Sequence, residues 1–267
     1  MIAPAGSVHA LLLAGQRPGP DALADHFHVP LKVLVPLAGE PMLSRIARTL
    51  VGHPAIGRVT ILGADAAVLG ADPGCAWLTG HPKVTFAAGA STISQTVLDA
   101  MGTPTPDQPV LVTTGDHPLL TRAMIDEFLD RARAAGTDLA VAMVEERLYR
   151  TRFDGRRTWI RFRAGAYSGA NLFLLSNARA RIAIAFWREI EAHRKKGGKI
   201  VAAFGPLLLA GVGLRLLSLK QALRLAGKRL GLTATAVELS DPVACIDVDK
   251  VEDHALATRL IAEAQHG

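Results

Sequence analysis

The sequence has few cysteines and no long apolar run. Its two cysteines, Cys75 and Cys245, cannot build a disulfide framework, which fits a reducing compartment. The longest stretch with little charge, residues 200–214, has fifteen residues, fewer than the roughly twenty that a membrane-spanning helix needs. The first residues also lack the positive charge of a secretory signal. These features predict a cytoplasmic protein without a transmembrane segment.

Aromatic residues are scarce too, at 5% of the chain, so few rings are available to stack on bases. No recognised DNA- or RNA-binding motif is present, and we therefore expect no nucleic-acid partner. The hydrophobic share of 49% excludes a disordered chain. Without a repeat or a clear linker, the 267 residues predict a single domain over residues 1–267.

Positive charge is concentrated in the middle of the sequence. The net charge is +6, but residues 147–199 hold fourteen Lys and Arg and only three acids. That segment is therefore +11 and the remainder is −5. A basic segment attracts phosphate, whether on a nucleotide, a phosphorylated small molecule, nucleic acid or an anionic membrane.

Apolar strands and amphipathic helices alternate over the first 150 residues. Strands are predicted at residues 8–13, 58–62, 83–86, 110–113 and 138–144, and helices at residues 41–51, 91–101 and 121–135. This alternation predicts an α/β fold, a three-layer sandwich with a mostly parallel central sheet between helices. Ligands of such sheets bind beyond the carboxyl ends of the strands, so the loops after Leu13 and Thr113 form the candidate site.

The pattern changes in the second half of the chain. Strands are predicted at residues 157–163, 171–175, 233–238 and 244–247, and helices at residues 176–196, capped by Ser176, and 251–265. Residues 200–230 are apolar with interspersed Lys and Arg, and predict two helices separated near Gly211 and Gly213. We therefore expect a helical insertion at about residues 195–232 within the single domain.

The loop after Leu13 has the residue types that bind phosphate. Gly15 and Gly19 allow a close backbone approach and present N–H groups to anionic oxygens. Arg17 offers a fork of donors that matches phosphate, and Lys32 adds a point charge. Taken alone, the pattern is equally typical of a βα turn with a solvated arginine.

The segments that follow make this loop more specific. The pattern LAGQRPG, followed by a lysine and by PLAGEPM, resembles the signature of the sugar-phosphate and molybdenum-cofactor nucleotidyltransferases. In that family, which has a Rossmann-like sheet, the glycine loop and the arginine cradle a triphosphate and the lysine binds phosphate oxygens. The resemblance implies catalytic roles for Arg17 and Lys32. The nucleotide-binding residues that it implies are Leu13, Ala14, Gly15, Arg17, Gly19 and Lys32.

Two acidic segments resemble the metal site of the same family. TGDHPLL resembles a strand end whose aspartate binds the catalytic Mg²⁺, which implies Asp116 as a metal ligand and catalytic residue. CIDVDKVEDH resembles a segment that supplies the second carboxylate, with Asp249 as first choice and Asp247 as second. One or two carboxylates together with substrate phosphates are the usual ligands of Mg²⁺. Helix capping is the alternative role for Asp249, and the expected role of Asp253.

Two weaker matches lie between these segments. GASTISQTV resembles the stretch of cytidylyltransferases that contacts base and ribose, so Ser91 and Ser94 are candidates for nucleotide binding, with capping as the alternative. SGAN resembles an element that contacts the acceptor substrate, so Gly169 and Asn171 are candidates there.

Basic residues outside the matched segments suggest further contacts. Arg161 and Arg163 share one face of a predicted strand and are candidates to clamp the acceptor phosphate, with solvated arginines as the alternative. Residues 200–230 could lie on anionic lipid as a basic amphipathic surface or pack on the sheet. His117 is expected to face substrate or solvent, because Mg²⁺ prefers oxygen ligands.

Together these observations predict a Mg²⁺-dependent nucleotidyltransferase. It would transfer a nucleoside monophosphate from a triphosphate, CTP or GTP, to a phosphorylated sugar, polyol or cofactor, with release of pyrophosphate. A glycosyltransferase is an alternative, but it would need Asp-x-Asp where Gly115-Asp116-His117 stands. An inactive nucleotide-binding or membrane-docking module is the other open alternative, and would add a peripheral membrane contact to a cytoplasmic protein.

Overall fold

The computed structural model describes residues 7–16, 19–105, 107–192 and 205–266. Its strands are β1 (Val8–Leu13), β2 (Pro36–Leu37), β3 (Glu40–Pro41), β4 (Ile56–Leu62), β5 (Val84–Ala87), β6 (Val110–Thr114), β7 (Leu139–Glu145), β8 (Ile160–Phe162), β9 (Gly165–Leu175) and β10 (Ala234–Glu238). Eight of them form the central sheet in the order β10–β7–β9–β6–β1–β4–β5, with β8 joined to β9. β2 and β3 form a separate hairpin.

Parallel pairing dominates this sheet. β1 pairs in parallel with β4 and β6, β4 with β5, and β7 with β10. β9 runs antiparallel to its neighbours β6, β7 and β8. The expected mostly parallel sheet is confirmed, and its mixed character comes from one long strand inserted between β6 and β7.

Helices lie on both faces of the sheet. They are α1 (Ala22–His26), α2 (Met42–Val51), α3 (Ala66–Ala71), α4 (Ile93–Ala100), α5 (Arg122–Ala135), α6 (Glu146–Arg150), α7 (Ala180–Ala192), α8 (Pro206–Gly213), α9 (Leu219–Leu230) and α10 (Val251–His266). Successive residues of β1 point to opposite faces, so Leu12 joins one apolar core and Leu11 the other. The first core contains Ile46 of α2 and Phe128 of α5, and the second contains Val97 of α4. Two cores on one sheet confirm the three-layer sandwich.

α7 begins later than the sequence predicts. Ser176 is not its cap: it directly follows the end of β9, and its N–H donates to the carbonyl of Asp138 at 2.9 Å. The helix begins at Ala180 instead. Residues 193–196 of the predicted helix lie outside the described residues.

One strand predicted near the C-terminus, at residues 244–247, is absent from the described structure. Residues 244–247 do not pair, because residues 242–245 form a 3₁₀ turn that the Asp241 side chain caps at the N–H of Val243. The two helices predicted around Gly211 and Gly213 are present as α8 and α9. None of the helices in the described ranges has the length and apolar character needed to cross a bilayer.

Asp138 ties the start of β7 to the segments before β10 and α7. Its residue is 7% exposed, and its carboxylate accepts hydrogen bonds from the N–H of Thr233 at 2.7 Å, the Thr233 hydroxyl at 2.9 Å and the Asn177 amide at 2.7 Å. Burial alone would raise the pKa of this carboxyl, but these hydrogen bonds outweigh it and hold the pKa below its usual value. Asp138 is therefore charged and fully engaged.

Replacing Asp138 by alanine should lower the free energy of unfolding by about 2–4 kcal/mol, because Thr233 and Asn177 lose a charged acceptor. Urea denaturation followed by circular dichroism measures the change. Asp130→Ala is the matched control, since Asp130 is exposed on α5, and it should change stability by less than about 0.5 kcal/mol. Equal losses in both variants would contradict the structural role of Asp138.

Candidate active site

The loops after β1 and β6 meet at the carboxyl edge of the sheet. Leu13 pairs with Leu62 of β4 and with Thr114 of β6, and the N–H of Gly115 donates to the Leu13 carbonyl at 2.7 Å. A Cβ on Gly115 would lie 2.8 Å from Cγ1 of Val33 and 3.0 Å from that carbonyl, so no side chain fits there. The two loops that the sequence predicts to form the site therefore lie in direct contact.

Lys32 bridges two carboxylates from distant parts of the chain. Its Nζ lies 3.1 Å from Oδ2 of Asp116 and also forms an ion pair with Oδ1 of Asp249. The Lys32 side chain is 16% exposed and that of Asp249 is 54% exposed, so the cluster opens to solvent on the Asp249 side. The backbone N–H of Lys32 donates to Oε1 of Gln16 at 2.9 Å, which ties the lysine to the loop after β1.

Asp116 is held on two sides. The hydroxyl of Thr114 donates to its Oδ1 at 2.6 Å. Its backbone carbonyl accepts the N–H of Val248 at 2.8 Å. This second bond brings the segment before α10 to the end of β6, and it places Asp249, the next residue, beside the lysine.

The two candidates for the second carboxylate have different partners. Asp249 faces Lys32, whereas Oδ1 of Asp247 accepts a hydrogen bond from Nη2 of Arg157 at 2.6 Å. Burial alone would lower the pKa of Arg157, but the charge of Asp247 outweighs it and the pKa is raised. Asp249 is therefore placed with Asp116, and Asp247 is committed to an arginine.

Asp253 caps the start of α10. Its Oδ2 accepts hydrogen bonds from the N–H groups of Asp249 at 3.2 Å and Lys250 at 3.1 Å. The capping role predicted for Asp253 is confirmed. The same bonds fix the backbone of Asp249, whose side chain turns to the lysine.

The cluster of Lys32, Asp116 and Asp249 carries two negative charges and one positive charge. Burial alone would lower the pKa of Lys32, but the two carboxylates outweigh it and raise that pKa, so the ammonium stays charged. Across the described part of the chain, no three His, Cys, Asp or Glu side chains converge on one metal-sized site. A carboxylate pair fits a hard cation such as Mg²⁺ that arrives with phosphate oxygens as its remaining ligands.

Sequence reasoning misses a glycine-lined cavity beside β1. It has a volume of about 390 Å³ and lies beyond the ends of β4 and β5, with Gly63, Phe86 and Gly89 in its wall. Gly63 has a φ of +82°, and a Cβ there would lie 2.9 Å from Cα of Gly15. The backbones of three glycines thus approach one another at this edge. The sequence signals are the glycine directly after the apolar strand in RVTILG and Gly89 at the start of GASTISQTV, but the sequence alone does not bring the two together.

The remaining loop residues are only partly placed. Arg17 lies outside the described residues. Gly15 and Gly19 are exposed, and Gly19 has a φ of +114°, a conformation that favours glycine. Leu13 is half-buried, and Ala14 is 1% exposed with its N–H bonded to the Leu62 carbonyl at 2.8 Å. The glycines therefore present the open backbone of this loop, while Ala14 anchors it.

The structure corrects the role of Ser94. Its side chain is fully buried, and its hydroxyl donates to Oε2 of Glu191 at 2.6 Å, which links α4 to α7. It is therefore not open to a nucleotide. Ser91 is exposed just before Thr92, and Thr92 rather than Ser91 caps α4 by accepting the N–H of Gln95.

β9 passes the site with an irregular backbone. Its register with β6 places Asn171 level with the end of that strand. Its register with β7 shifts between Val141 and Met143, and Asn171 has a φ of +50°. Asparagine tolerates this left-handed conformation better than most residues, and bulges of this kind re-aim side chains. Gly169 and Asn171 are thus brought to the same edge as Asp116.

A larger cavity opens beyond the end of β7. It has a volume of about 530 Å³ and is lined by two acids and four arginines: Glu145, Glu146, Arg147, Arg150, Arg161 and Arg215. Only β9 lies between β7 and β6, so this cavity opens on the same edge of the sheet as Asp116. Arg163 does not line it; its side chain is exposed and its backbone N–H donates to the Leu217 carbonyl at 2.9 Å. Only Arg161 of the predicted arginine pair lies at the cavity.

His117 is buried beneath the site and does not face solvent as the sequence predicted. It is 1% exposed, and neither ring nitrogen has a well-oriented hydrogen-bond partner among the described residues. Burial, opposed by the charges of Asp116 and Asp247, lowers the pKa of His117 to about 4. The neutral imidazole therefore packs behind Asp116.

Comparison with known proteins identifies the family. The model of the MobA-like NTP transferase domain matches residues 26–200, more than half of the chain, and the protein therefore belongs to this family of nucleotidyltransferases. The matched range contains Lys32 and Asp116, whereas Gly15 and Asp249 lie outside it. A search of curated protein sequences gives no match.

Solved structures have the same fold. A hypothetical transferase from Thermus thermophilus has a TM-score of 0.74 and 28% identity, covering 93% of this chain and 99% of its own. The 2-C-methyl-D-erythritol 4-phosphate cytidylyltransferase of Francisella tularensis has a TM-score of 0.53 and 12% identity, covering 95% and 99%. A 4-diphosphocytidyl-2C-methyl-D-erythritol synthase from Anaerococcus prevotii has a TM-score of 0.53 and 10% identity, covering 96% of each chain. At these identities the last two share the fold alone.

The buried His117 predicts an acid-sensitive fold. The unfolded chain takes up a proton at this residue near pH 6.5, whereas the folded protein does so only near pH 4. The free energy of unfolding is therefore not reduced by His117 at neutral pH. It falls as the pH drops from 6.5 toward 4, because only the unfolded chain binds the proton in that range. In His117→Leu, the drop in unfolding free energy between pH 7 and pH 5 should shrink by about 2 kcal/mol.

Urea denaturation at the two pH values measures this difference. His26→Leu is the control for the substitution itself, because His26 is exposed, and the comparison of the two variants isolates the effect of burial at position 117. An unaltered pH dependence in His117→Leu would show that this residue does not set the acid sensitivity.

Proposed function

We propose that this nucleotidyltransferase uses Mg²⁺ to transfer a nucleoside monophosphate from CTP or GTP to the phosphate of a small acceptor. A phosphate oxygen of the acceptor forms a bond to the α-phosphorus. The bond between that phosphorus and the bridging β-oxygen breaks, and pyrophosphate leaves with the electron pair. The observation that carries this proposal is the convergence of Lys32, Asp116 and Asp249 at the carboxyl edge of the sheet.

The glycine-lined cavity supports a position for the nucleotide. Base and ribose would lie in this cavity, between Phe86 and the loop segments that begin at Gly63 and Gly89. The triphosphate would then run past Gly15 toward Lys32, and Arg17 of the same loop would add donors to it. A concave pocket with apolar walls and a few polar groups suits a base and its ribose.

Asp116 and Asp249 would hold the metal ion. When bound, Mg²⁺ neutralises phosphate charge and orients the triphosphate for in-line attack. Asp116 is the more firmly positioned ligand, since Thr114 holds one of its carboxylate oxygens and Val248 its backbone. Lys32 would exchange its carboxylate partners for phosphate oxygens and stabilise the charge that develops on pyrophosphate.

The arginine-rich cavity beyond β7 supports a position for the acceptor. Arg161 lies 3.6 Å from Oε2 of Glu146, a distance at which an incoming phosphate can compete for the guanidinium. Gly169 and Asn171 lie between this cavity and Asp116, where the acceptor phosphate would approach the nucleotide. The order along the edge is thus nucleotide, metal and acceptor.

Pyrophosphate release tests the proposal directly. The protein is incubated with each of the four ribonucleoside triphosphates, Mg²⁺ and a pool of phosphorylated sugars, polyols and cofactor precursors. We expect release with CTP or GTP that depends on one acceptor and stops when Mg²⁺ is chelated. Release without an acceptor, or a nucleotide that fails to bind even with Mg²⁺, would contradict the proposed reaction.

Three isosteric variants test the metal site. Asp116→Asn and Asp249→Asn should each lower kcat/KM by about 100-fold or more, because each removes a carboxylate from the metal. Asp247→Asn should lower it less than tenfold, about 1.4 kcal/mol or less, since Asp247 serves Arg157. Steady-state kinetics across a range of Mg²⁺ concentrations measure all three. A large loss in Asp247→Asn beside a mild one in Asp249→Asn would exchange the two assignments.

A further inference from the structure

The segment around α8 and α9 has an unusual charge composition. Between Glu191 and Glu238 the sequence contains nine Lys and Arg and no acid. The structure describes this segment from Gly205 onward. Such an excess without internal counter-charges calls for an anionic partner outside the segment.

α9 separates a buried side from a cationic side. Leu219 and Ala222 are buried on the sheet side, whereas Lys220, Arg224 and Lys228 are exposed and spaced four residues apart. Like charges at this spacing repel and destabilise an isolated helix. Among the described residues none of the three has an ion-pair partner. The face is therefore suited to a negatively charged surface.

Exposed leucines accompany the charges. In the loop that leads into α9, Leu214 is 69% exposed and Leu216 is 61% exposed, and on the helix Leu225 is 45% exposed. Apolar side chains beside a row of cations match a lipid interface, where the leucines enter the acyl boundary and the cations meet the headgroups. A nucleic acid would use the cations but gain nothing from the leucines.

The loop lies on the active-site side of the molecule. α9 is joined by a short turn to β10 and packs against it, so the helix begins near the carboxyl edge of the sheet. The carbonyl of Leu217 accepts the N–H of Arg163, and Arg215 lines the cavity at the end of β7. Docking through this loop would therefore turn the arginine-rich cavity toward the bilayer.

We propose that the loop at Leu214–Leu217 and the exposed face of α9 form a docking surface for an anionic lipid bilayer. The cations bring the protein to the membrane, and Leu214 and Leu216 insert at the headgroup level. The contact is peripheral and reversible, since it combines few apolar side chains with screened charge.

Vesicle co-sedimentation of the full chain tests the proposal. We expect binding to vesicles of 30% phosphatidylserine and 70% phosphatidylcholine (about the ratio of an anionic leaflet), and weak binding to phosphatidylcholine alone. Binding should decrease with added salt. Absence of binding to the anionic vesicles, or equal binding to both kinds, would overturn the proposal.

Test and control variants distinguish binding through the proposed docking surface from an effect of the overall charge of the protein. A triple variant should bind the anionic vesicles about 100-fold more weakly, and it combines Lys220→Gln, Arg224→Gln and Lys228→Gln. A double variant should bind them about tenfold more weakly, and it combines Leu214→Ser and Leu216→Ser. The charge control replaces three exposed arginines elsewhere in the chain, as Arg133→Gln, Arg152→Gln and Arg259→Gln. The apolar control replaces two exposed isoleucines, as Ile93→Ser and Ile182→Ser.

The controls should bind vesicles as the unmodified protein does, and a thermal melt checks that each variant is folded. Equal losses in the control and test variants would overturn the proposal. A single-stranded oligonucleotide serves as the competing anion. Binding of the oligonucleotide that depends on the three α9 cations, without binding to vesicles, would replace the lipid surface with a nucleic-acid surface.

Discussion

The ion cluster of Lys32 with Asp116 and Asp249 is the interaction on which the site depends. It joins residues that are 84 and 217 positions apart from the lysine in the chain. Two carboxylates this close repel each other unless a cation lies between them, and the ammonium supplies that charge. The surrounding bonds from Gln16, Thr114 and Val248 position the three charged groups, so the carboxyl edge is organised before any substrate arrives.

This organisation is compatible with the two substrates of the proposed reaction. Parallel strands end at one edge, and each ends in a different kind of loop. On one side of Asp116 three glycine backbones pack closely beside a cavity, which is the proposed place of the nucleotide. On the other side lie arginines around a cavity, which suit an acceptor carrying phosphate. The antiparallel β9 separates the two sides, and the proposed transfer would take place across it.

Most of the fold could be predicted because its signals are local. The apolar runs of β1 and β6 are contained in a few neighbouring residues. So is the start of α5, where the Thr121 hydroxyl accepts the N–H of Met124 at 3.2 Å. The different surroundings of Asp247 and Asp249 are not local: both residues fit the sequence pattern, but Asp247 pairs with Arg157, 90 positions away, and Asp249 with Lys32, 217 positions away. Ser94 is another such case, because its partner Glu191 is 97 positions distant. Burial of His117 likewise depends on distant packing that no short motif records.

The central position of β9 also affects how the protein is made on the ribosome. β6 finds one partner in β1 early in synthesis, but its other neighbour is not complete until Leu175. β7 emerges before β9 as well, with no adjacent strand yet made. Until then the nascent chain carries unpaired strand edges, which attract other chains. Completion of β9 therefore covers the edges of β6 and β7 together, and the other edge of β7 stays open until β10 is made.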